Sequence, residues 1–262
     1  MARLTKNIQL LACASAIFAL LTGAPVNADA PDSLGASTSS TADQIVIDAE
    51  SLLRSVSDVH YEHLHAPASN QVTGNIAHND CSGLVSYLLA KHAPAQYAAI
   101  SSEQPQKEYP QAKTYAKFFT ELESTRAGWK KVLNINHVKR GDYIAWAKQV
   151  VAGQKSGNTG HVAIVAAPPG DVRETTVNEK RVLYVEIKVI DSSSVDHFAP
   201  DLLPPNAGQK HRDGIGEGYV RIIVDTEHKP VGYWEGTFWN EGGKPISGPS
   251  YTPIIGFARL VN

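Results

Sequence analysis

Residues 79–85 read NDCSGLV, and this short segment decides the fold that the sequence predicts. A helix capped by Asn79 or Asp80 is expected here, because a polar cap is followed by an apolar stripe at helical spacing. Pro94 is expected to end that helix. Cys81 then lies in the first turn, where unpaired N–H groups and the helix dipole favour a thiolate over a thiol. The segment therefore predicts a helix start that activates a cysteine.

The cysteine count makes Cys81 unusual. The chain contains two cysteines, and Cys13 lies within residues 1–30, which have the basic start, short apolar run and small-residue cleavage pattern of a secretory signal peptide. Signal cleavage leaves Cys81 without an intramolecular disulfide partner in an oxidising compartment. Such a thiol is buried and inert, paired between chains, or reactive. A lipid anchor at Cys13 is not expected, because the apolar run continues past it.

The sequence predicts an exported protein, periplasmic or secreted, with one folded domain. Residues 31–43 are rich in small and polar residues and are expected to form a disordered leader, so the domain spans 44–262 with insertions. Loss of the signal changes the formal charge from −2 to −3, because two basic residues and one acidic residue leave with it. This balance excludes a general attraction to nucleic acid or anionic lipid. No later stretch suits stable membrane insertion, and a monomer is expected.

The fold class follows from the order of the periodic segments. Apolar residues recur at helical spacing over 43–58, where Asp43 is a suitable cap, and over 111–126. The polar stretches 59–79 and 95–110 are expected to be loops, as are 148–159, 168–181 and 199–214. Strand-like runs lie at 143–147, 162–166, 182–191, 219–224, 231–235 and 254–260. Helices first and strands second predict an α+β fold, with N-terminal helices packed on a central antiparallel sheet.

A thiolate nucleophile needs a base, and His161 is the best-placed histidine. It opens an apolar run after a Gly-containing loop, so its imidazole can face a cleft while the strand anchors its backbone. A third group should accept the other ring N–H and orient the imidazole. Asp191 ends another apolar run and has suitable chemistry, while Asp196, Glu186 and Asn158 remain competitors.

Three motifs in this order resemble the NlpC/P60 family of cell-wall cysteine peptidases: DCSGLV at 80–85, RGDYIAW at 140–146 and GHVAIV at 160–165. The resemblance implies a papain-like core and cleavage of peptide bonds in peptidoglycan stem peptides, often next to a D-amino acid. It also implies that Cys81 is the nucleophile, His161 the base and Asp191 the third, polar member. Tyr61, upstream of the cysteine, would line the site.

The neighbours of Cys81 complete the expected site. Asp80 and Ser82 are expected to contact substrate, and the small residues Ser82 and Gly83 leave room for its approach. The backbone N–H groups of this turn can help to hold an oxyanion. The expected function is that of an exported cysteine hydrolase acting on peptidoglycan, without a cofactor. A Cys-His amidase acting on another amide, and a papain-like binding module without activity, are the alternatives.

Four histidines precede Cys81, and imidazoles together with a thiolate are suitable zinc ligands. They are His60, His63, His65 and His78. A metal site is not expected, because their spacing follows no zinc-binding pattern and one cysteine alone is available. The segment is expected to be a polar loop at the rim of the cleft, from which His63 or His78 can still touch substrate.

Two further groups of residues are expected to be structural. The aromatic residues of 233–239 could stack on sugar rings, but such a cluster is more often core at the end of a strand. They are Tyr233, Trp234, Phe238 and Trp239. Asp196 and His197 have the chemistry of an acid–base pair, but neighbours on a strand face opposite ways, so a loop is expected there.

Overall fold

The computed structural model of the chain describes residues 39–63, 71–148, 159–194, 213–235, 244–246 and 254–261. The predicted signal peptide and residues 31–38 of the predicted leader lie outside these ranges. Within them the chain is an α+β fold with four α-helices and a large antiparallel sheet, as the sequence predicts at this level. None of the helices in this described part is long and apolar enough to cross a membrane.

The helices are α1 (Thr41–Ser55), α2 (Cys81–His92), α3 (Pro94–Ser101) and α4 (Ala112–Glu121). Ser40 caps α1, because its hydroxyl accepts a hydrogen bond from the Asp43 N–H at 3.1 Å while the Asp43 carboxylate accepts one from the Ser40 N–H at 3.3 Å. This reciprocal arrangement is a capping box. Asp43 is therefore the third residue of the helix and not its cap. Residues 41–43 belong to this helix and not to the predicted leader.

The sequence does not predict α3, because Pro94 reads as a stop signal for α2. Pro94 instead lies in the first turn of the next helix. Its missing N–H is harmless there, since the first N–H groups of a helix have no intrahelical partner. The helix expected at 111–126 is shorter in the structure and ends at Glu121, and residues 125–126 join the sheet.

A small sheet lies immediately before α2, where a polar loop is expected from the sequence. Its strands are β1 (Asp58–Tyr61), β2 (Gln71–Thr73) and β3 (Ile76–Asn79). β1 pairs with β3 in parallel, and β2 pairs with β3 antiparallel. The prediction of a loop is wrong here. These short strands are held by backbone pairing and carry no alternation of apolar residues that would mark them in the sequence.

The large sheet contains ten strands among the described residues. They are β4 (Thr125–Arg126), β5 (Trp129–Val132), β6 (Tyr143–Ala147), β7 (Gly160–Val165), β8 (Arg173–Val177), β9 (Lys180–Ser193), β10 (Gly214–Val224), β11 (Pro230–Glu235), β12 (Lys244–Ile246) and β13 (Ile255–Leu260). Nine lie side by side in the order β12-β11-β10-β9-β7-β6-β13-β5-β4, and β8 pairs with β9. Each of the six predicted strand runs overlaps one of these strands.

The centre of the large sheet is buried on both faces. Alternate residues of β6 and β7 share one apolar cluster with Phe118 and Phe119 of α4, and the residues between them belong to a second cluster on the opposite face. Burial of one phenylalanine side chain contributes about 1.5–3 kcal/mol. The strands that end at the candidate site are therefore firmly held by packing.

The Gly-Asp turn before β6 is connected to β13 by hydrogen bonds. Asp142 is 1% exposed, and it accepts two hydrogen bonds from Arg259 of β13, from Nε at 2.7 Å and from Nη2 at 2.8 Å. The Lys139 N–H donates a third, at 2.8 Å. A buried carboxylate needs this degree of pairing. The motif therefore fixes the start of β6 and holds β13 beside it.

Candidate active site

Cys81 is the first residue of α2, and Asp80 is the cap of that helix. Asp80 Oδ1 accepts hydrogen bonds from the Gly83 N–H at 2.7 Å and from the Ser82 hydroxyl at 2.9 Å. Ordinary helical bonding resumes at Leu84, whose N–H donates to the Asp80 carbonyl at 3.0 Å. Cys81 thus lies in the first turn with its N–H outside the helical ladder, in the electrostatic environment that favours an anion.

His161 and Asp191 come from two neighbouring strands, β7 and β9. The pairing of Ile164 with Ile190 sets the register that brings the start of β7 near the end of β9. His161 Nε2 and Asp191 Oδ2 are joined by a hydrogen bond. Asp191 is 2% exposed, so its carboxylate acts in a poorly solvated environment.

The Cys81 side chain lies close enough to the His161 ring to influence its pKa. Since Asp191 takes Nε2, the nitrogen left for the thiol is Nδ1. Burial by itself lowers the pKa of His161, but the charges of Asp191 and Cys81 and the hydrogen bonds to both raise it. These charges and hydrogen bonds outweigh burial, so the pKa of His161 lies well above its ordinary value of 6.5. A raised pKa favours the cationic imidazole, the form that can pair with a thiolate.

Gly160 and Trp146 determine where the His161 ring lies. Gly160 has a φ of +130°, and a Cβ at this position would lie 2.0 Å from the Trp146 carbonyl oxygen. The backbones of β6 and β7 therefore approach at a distance that only glycine allows. The Trp146 ring lies 5.0 Å from the His161 ring, centroid to centroid, and stacks on Tyr233 at 5.1 Å. These aromatic rings form a wall beside the imidazole.

Tyr61, His63 and Asp80 form a second chain of contacts beside Cys81. The His63 Nδ1 lies 3.1 Å from Asp80 Oδ2, and the His63 Nε2 lies 3.4 Å from the Tyr61 hydroxyl. Burial raises the pKa of Asp80, but the hydrogen bonds from His63, Gly83 and Ser82 outweigh it and the pKa is lowered. Burial and the nearby charges of Cys81, Asp80 and Asp191 raise the pKa of Tyr61, which stays a neutral phenol.

A cleft of about 210 Å³ opens beside the cysteine. Three parts of the chain line it: His63, Asp80 and Cys81; residues 106–109, 111 and 112; and Thr159 with Gly160. Lys107 contributes a positive charge to this lining, and Asp80 and Glu108 contribute carboxylates. Cys81 lines the cleft although it is only 3% exposed.

The structure brings together five of the six residues that the sequence singles out around the nucleophile: Cys81, His161, Asp191, Asp80 and Tyr61. Ser82, the sixth, is 3% exposed and its hydroxyl donates to Asp80, so it supports the helix cap. Of the competitors for the third position, Glu186 is paired with Arg221 at 3.0 Å and Arg173 at 3.1 Å. Asn158 and the Asp196-His197 pair lie outside the described residues.

The aromatic cluster at 233–239 lies only partly within the described residues. Tyr233 is 4% exposed and packs in the core, while Trp234 lies 5.9 Å from Tyr184, ring to ring. Phe238 and Trp239 lie outside the described residues.

Two features of the site are not predicted by the sequence. Residues 106–109 enter the cleft lining only because α3 and α4 fold back on α2, and no local pattern signals that. The His63–Asp80 contact joins residues seventeen positions apart across the small sheet. The Asp-Cys pair and the preceding histidines were the available signal for it.

Comparison of the chain with protein-family models, with curated proteins and with solved structures found no match.

Proposed function

We propose that this chain is an exported cysteine hydrolase, periplasmic or secreted, with a papain-like core that cleaves amide bonds in peptidoglycan stem peptides. The observation that carries the proposal is the contact sequence Cys81–His161–Asp191, with the cysteine at a helix N-terminus. A nucleophile, a base and a group that orients the base are the parts that acyl transfer requires. The mixed charges of the cleft lining suit a short peptide that carries both an amine and a carboxylate.

The first half of the reaction forms an acyl-enzyme. The Cys81 thiolate attacks the amide carbonyl carbon, so a C–S bond forms and the oxygen becomes an oxyanion. The Cys81 N–H, which the helix leaves unused, is placed to donate to that oxygen. As the C–N bond breaks, His161 gives its Nδ1 proton to the leaving amine. Asp191 keeps the ring in position through Nε2 and stabilises its cationic form.

The second half returns the enzyme to its starting state. Neutral His161 accepts a proton from a water molecule, and the resulting hydroxide attacks the thioester carbonyl. The C–S bond breaks, the peptide leaves as a carboxylic acid, and the thiolate is again paired with protonated His161. Both halves use the same short proton path between Nδ1 and the substrate.

Digestion of purified peptidoglycan tests the proposal. The mature protein should release fragments whose masses identify one cleaved amide bond, while Cys81→Ala and His161→Ala should lower the rate by at least about 10³-fold. His137→Ala is the matched control, because that exposed histidine lies on a single 3₁₀ turn away from the site. Equal digestion by Cys81→Ala would rule out the nucleophile.

A non-catalytic binding module is the second candidate, and the 3% exposure of Cys81 is the observation that favours it. The two functions differ in the chemistry of the thiol. The hydrolase predicts rapid alkylation of Cys81 by iodoacetamide at pH values well below the ordinary thiol pKa of about 8.5. Retention on peptidoglycan with slow alkylation would instead support binding alone, and turnover of other amides with intact peptidoglycan would support a different amidase.

A further inference from the structure

Asp58, His60 and His78 meet on the exposed side of the small sheet. Asp58 and His60 are two residues apart on β1, so their side chains lie on the same face. His60 is directly paired with His78 in the register of β1 and β3. Two strands that are eighteen residues apart in the chain therefore bring three metal-ligating side chains together.

The distances between their donor atoms fit a single small ion. Asp58 Oδ1 lies 2.9 Å from His78 Nε2 and 3.6 Å from His60 Nε2. One donor atom from each of the three residues lies within 4.8 Å of the other two. Neighbouring ligands of tetrahedral zinc are about 3.3 Å apart, given bond lengths of about 2.0–2.1 Å. Small rotations of the two imidazoles would place every donor atom at bonding distance from one centre.

A carboxylate faces the outer nitrogen of His60. Asp213 Oδ1 lies 3.8 Å from His60 Nδ1, and Asp213 Oδ2 accepts a hydrogen bond from the Tyr61 N–H at 3.3 Å. A metal-bound histidine commonly has a carboxylate at its other ring nitrogen, which fixes the tautomer. The next residue, Gly214, lies against β1 at a distance that only glycine allows, because a Cβ there would lie 2.4 Å from Val59 Cγ1.

The charges around His60 also favour a cation. Both of its ring nitrogens face carboxylates, Asp58 on one side and Asp213 on the other. A metal ion bound at Nε2 would lie beside the Asp58 carboxylate, while Nδ1–H would point at Asp213.

We propose that Asp58, His60 and His78 bind a divalent transition-metal ion of the zinc class. Two imidazoles and one carboxylate are suitable ligands for such an ion. The side chains of His60 and Asp58 are 59% and 46% exposed, so a water molecule can complete the coordination from solvent. The ion cross-links β1 to β3 just before Cys81, and its role is to stabilise the small sheet.

Zinc titration by calorimetry tests the site. The mature, untagged protein carries Cys81→Ala in every sample, so that the thiol cannot bind the metal. One zinc ion should bind per chain, and His60→Ala or His78→Ala should weaken binding by at least about 100-fold, with Asp213→Asn weakening it about 10-fold. His137→Ala should bind as tightly as the parent. Equal binding by the His60→Ala protein, or an equal loss in His137→Ala, would overturn the proposal.

Two further readouts keep the test independent of folding. His60 is largely exposed, so its replacement should leave the near-ultraviolet circular dichroism unchanged, and zinc should raise the melting temperature of the parent but not of His60→Ala. Cobalt bound to the protein with Cys81 intact should show the visible bands of a nitrogen and oxygen site. A thiolate-to-cobalt charge-transfer band would place the ion at Cys81 and contradict the proposal.

Discussion

At the scale of single residues, the chemistry of the candidate site depends on Asp191. Its buried carboxylate is hydrogen-bonded to His161 Nε2, and its charge raises the pKa of the imidazole. Burial acts in the opposite direction and is the largest single influence on that ring. The raised pKa of His161 therefore depends on anionic neighbours that outweigh its desolvation.

Asp191→Asn should lower the pKa of His161. The substitution keeps the shape of the side chain but removes its charge. Less negative charge then opposes the lowering of the His161 pKa by burial. Protonated His161 is present below its pKa, so the alkaline limb of the pH–rate profile should move to lower pH, and the rate should fall by about 10²-fold. Titration of the His161 ring by NMR measures the shift directly.

Glu186→Gln is the matched control for that substitution. Glu186 lies on the same strand as Asp191 but pairs with Arg221 and Arg173 across the sheet. Its neutralisation should leave the His161 titration unchanged. A His161 pKa in Asp191→Asn equal to that of the parent would exclude Asp191 as the group that controls this ring.

The sequence predicts single site residues well where one position carries its own signal. Cys81 is marked by its count and its helix start, and His161 by its place at the mouth of an apolar run. Asp191 and Glu186 could not be separated, because their difference lies in partners from β7 and β10 that only the fold supplies. Asp58 shows the same limit, since its carboxylate joins two histidines through the register of strands that the sequence did not predict.

At the scale of elements, the close approach of β6 and β7 helps to position His161. Gly160 opens β7 with a φ of +130° and packs directly against the backbone of β6. Long apolar runs such as β7 and β9 were predictable, since burial on two faces leaves a continuous pattern. Polar strands were not: β8 reads RETTV and is largely exposed, so no apolar periodicity marks it.

Gly160→Ala should disturb this approach. The added methyl group would lie 2.0 Å from the Trp146 carbonyl oxygen, and alanine is strained at this φ. The free energy of unfolding should fall by about 1–3 kcal/mol, and alkylation of Cys81 should slow because His161 moves. Urea denaturation and iodoacetamide kinetics measure the two effects.

Gly170→Ala provides the comparison. A Cβ at Gly170 would lie 3.8 Å from the Glu186 carbonyl oxygen, which is ordinary contact. Its unfolding free energy should stay within about 0.5 kcal/mol of the parent. Equal destabilisation by the two alanines would mean that the close approach at Gly160 is not what holds β7.

At the scale of the whole molecule, Arg259 and Asp142 connect distant parts of the chain. The pair joins β13 to the turn before β6 across 117 residues, and Arg259 also donates to the His137 carbonyl at 2.6 Å. The sequence marks the Gly-Asp turn but not its partner, because nothing local indicates which cation reaches a buried carboxylate. The α+β order was predictable; the neighbours in the sheet were not.

Arg259→Gln should destabilise the whole fold by about 3 kcal/mol, because it leaves a nearly buried carboxylate without its cation. Arg126→Gln is the control: Arg126 pairs with Glu103 at 2.7 Å, but the two side chains are 53% and 34% exposed. Its loss should cost about 1 kcal/mol or less. Thermal and urea unfolding of both variants provide the comparison, and equal effects would contradict the assigned importance of the buried pair.

The position of β13 affects the timing of biosynthesis. This strand follows every other described element in the chain, yet it lies between β6 and β5 in the middle of the sheet. A chain emerging from the ribosome therefore has a gap beside β6 until residue 260 has been made. A nascent chain therefore carries Cys81, His161 and Asp191 before β13 completes the sheet beside β6.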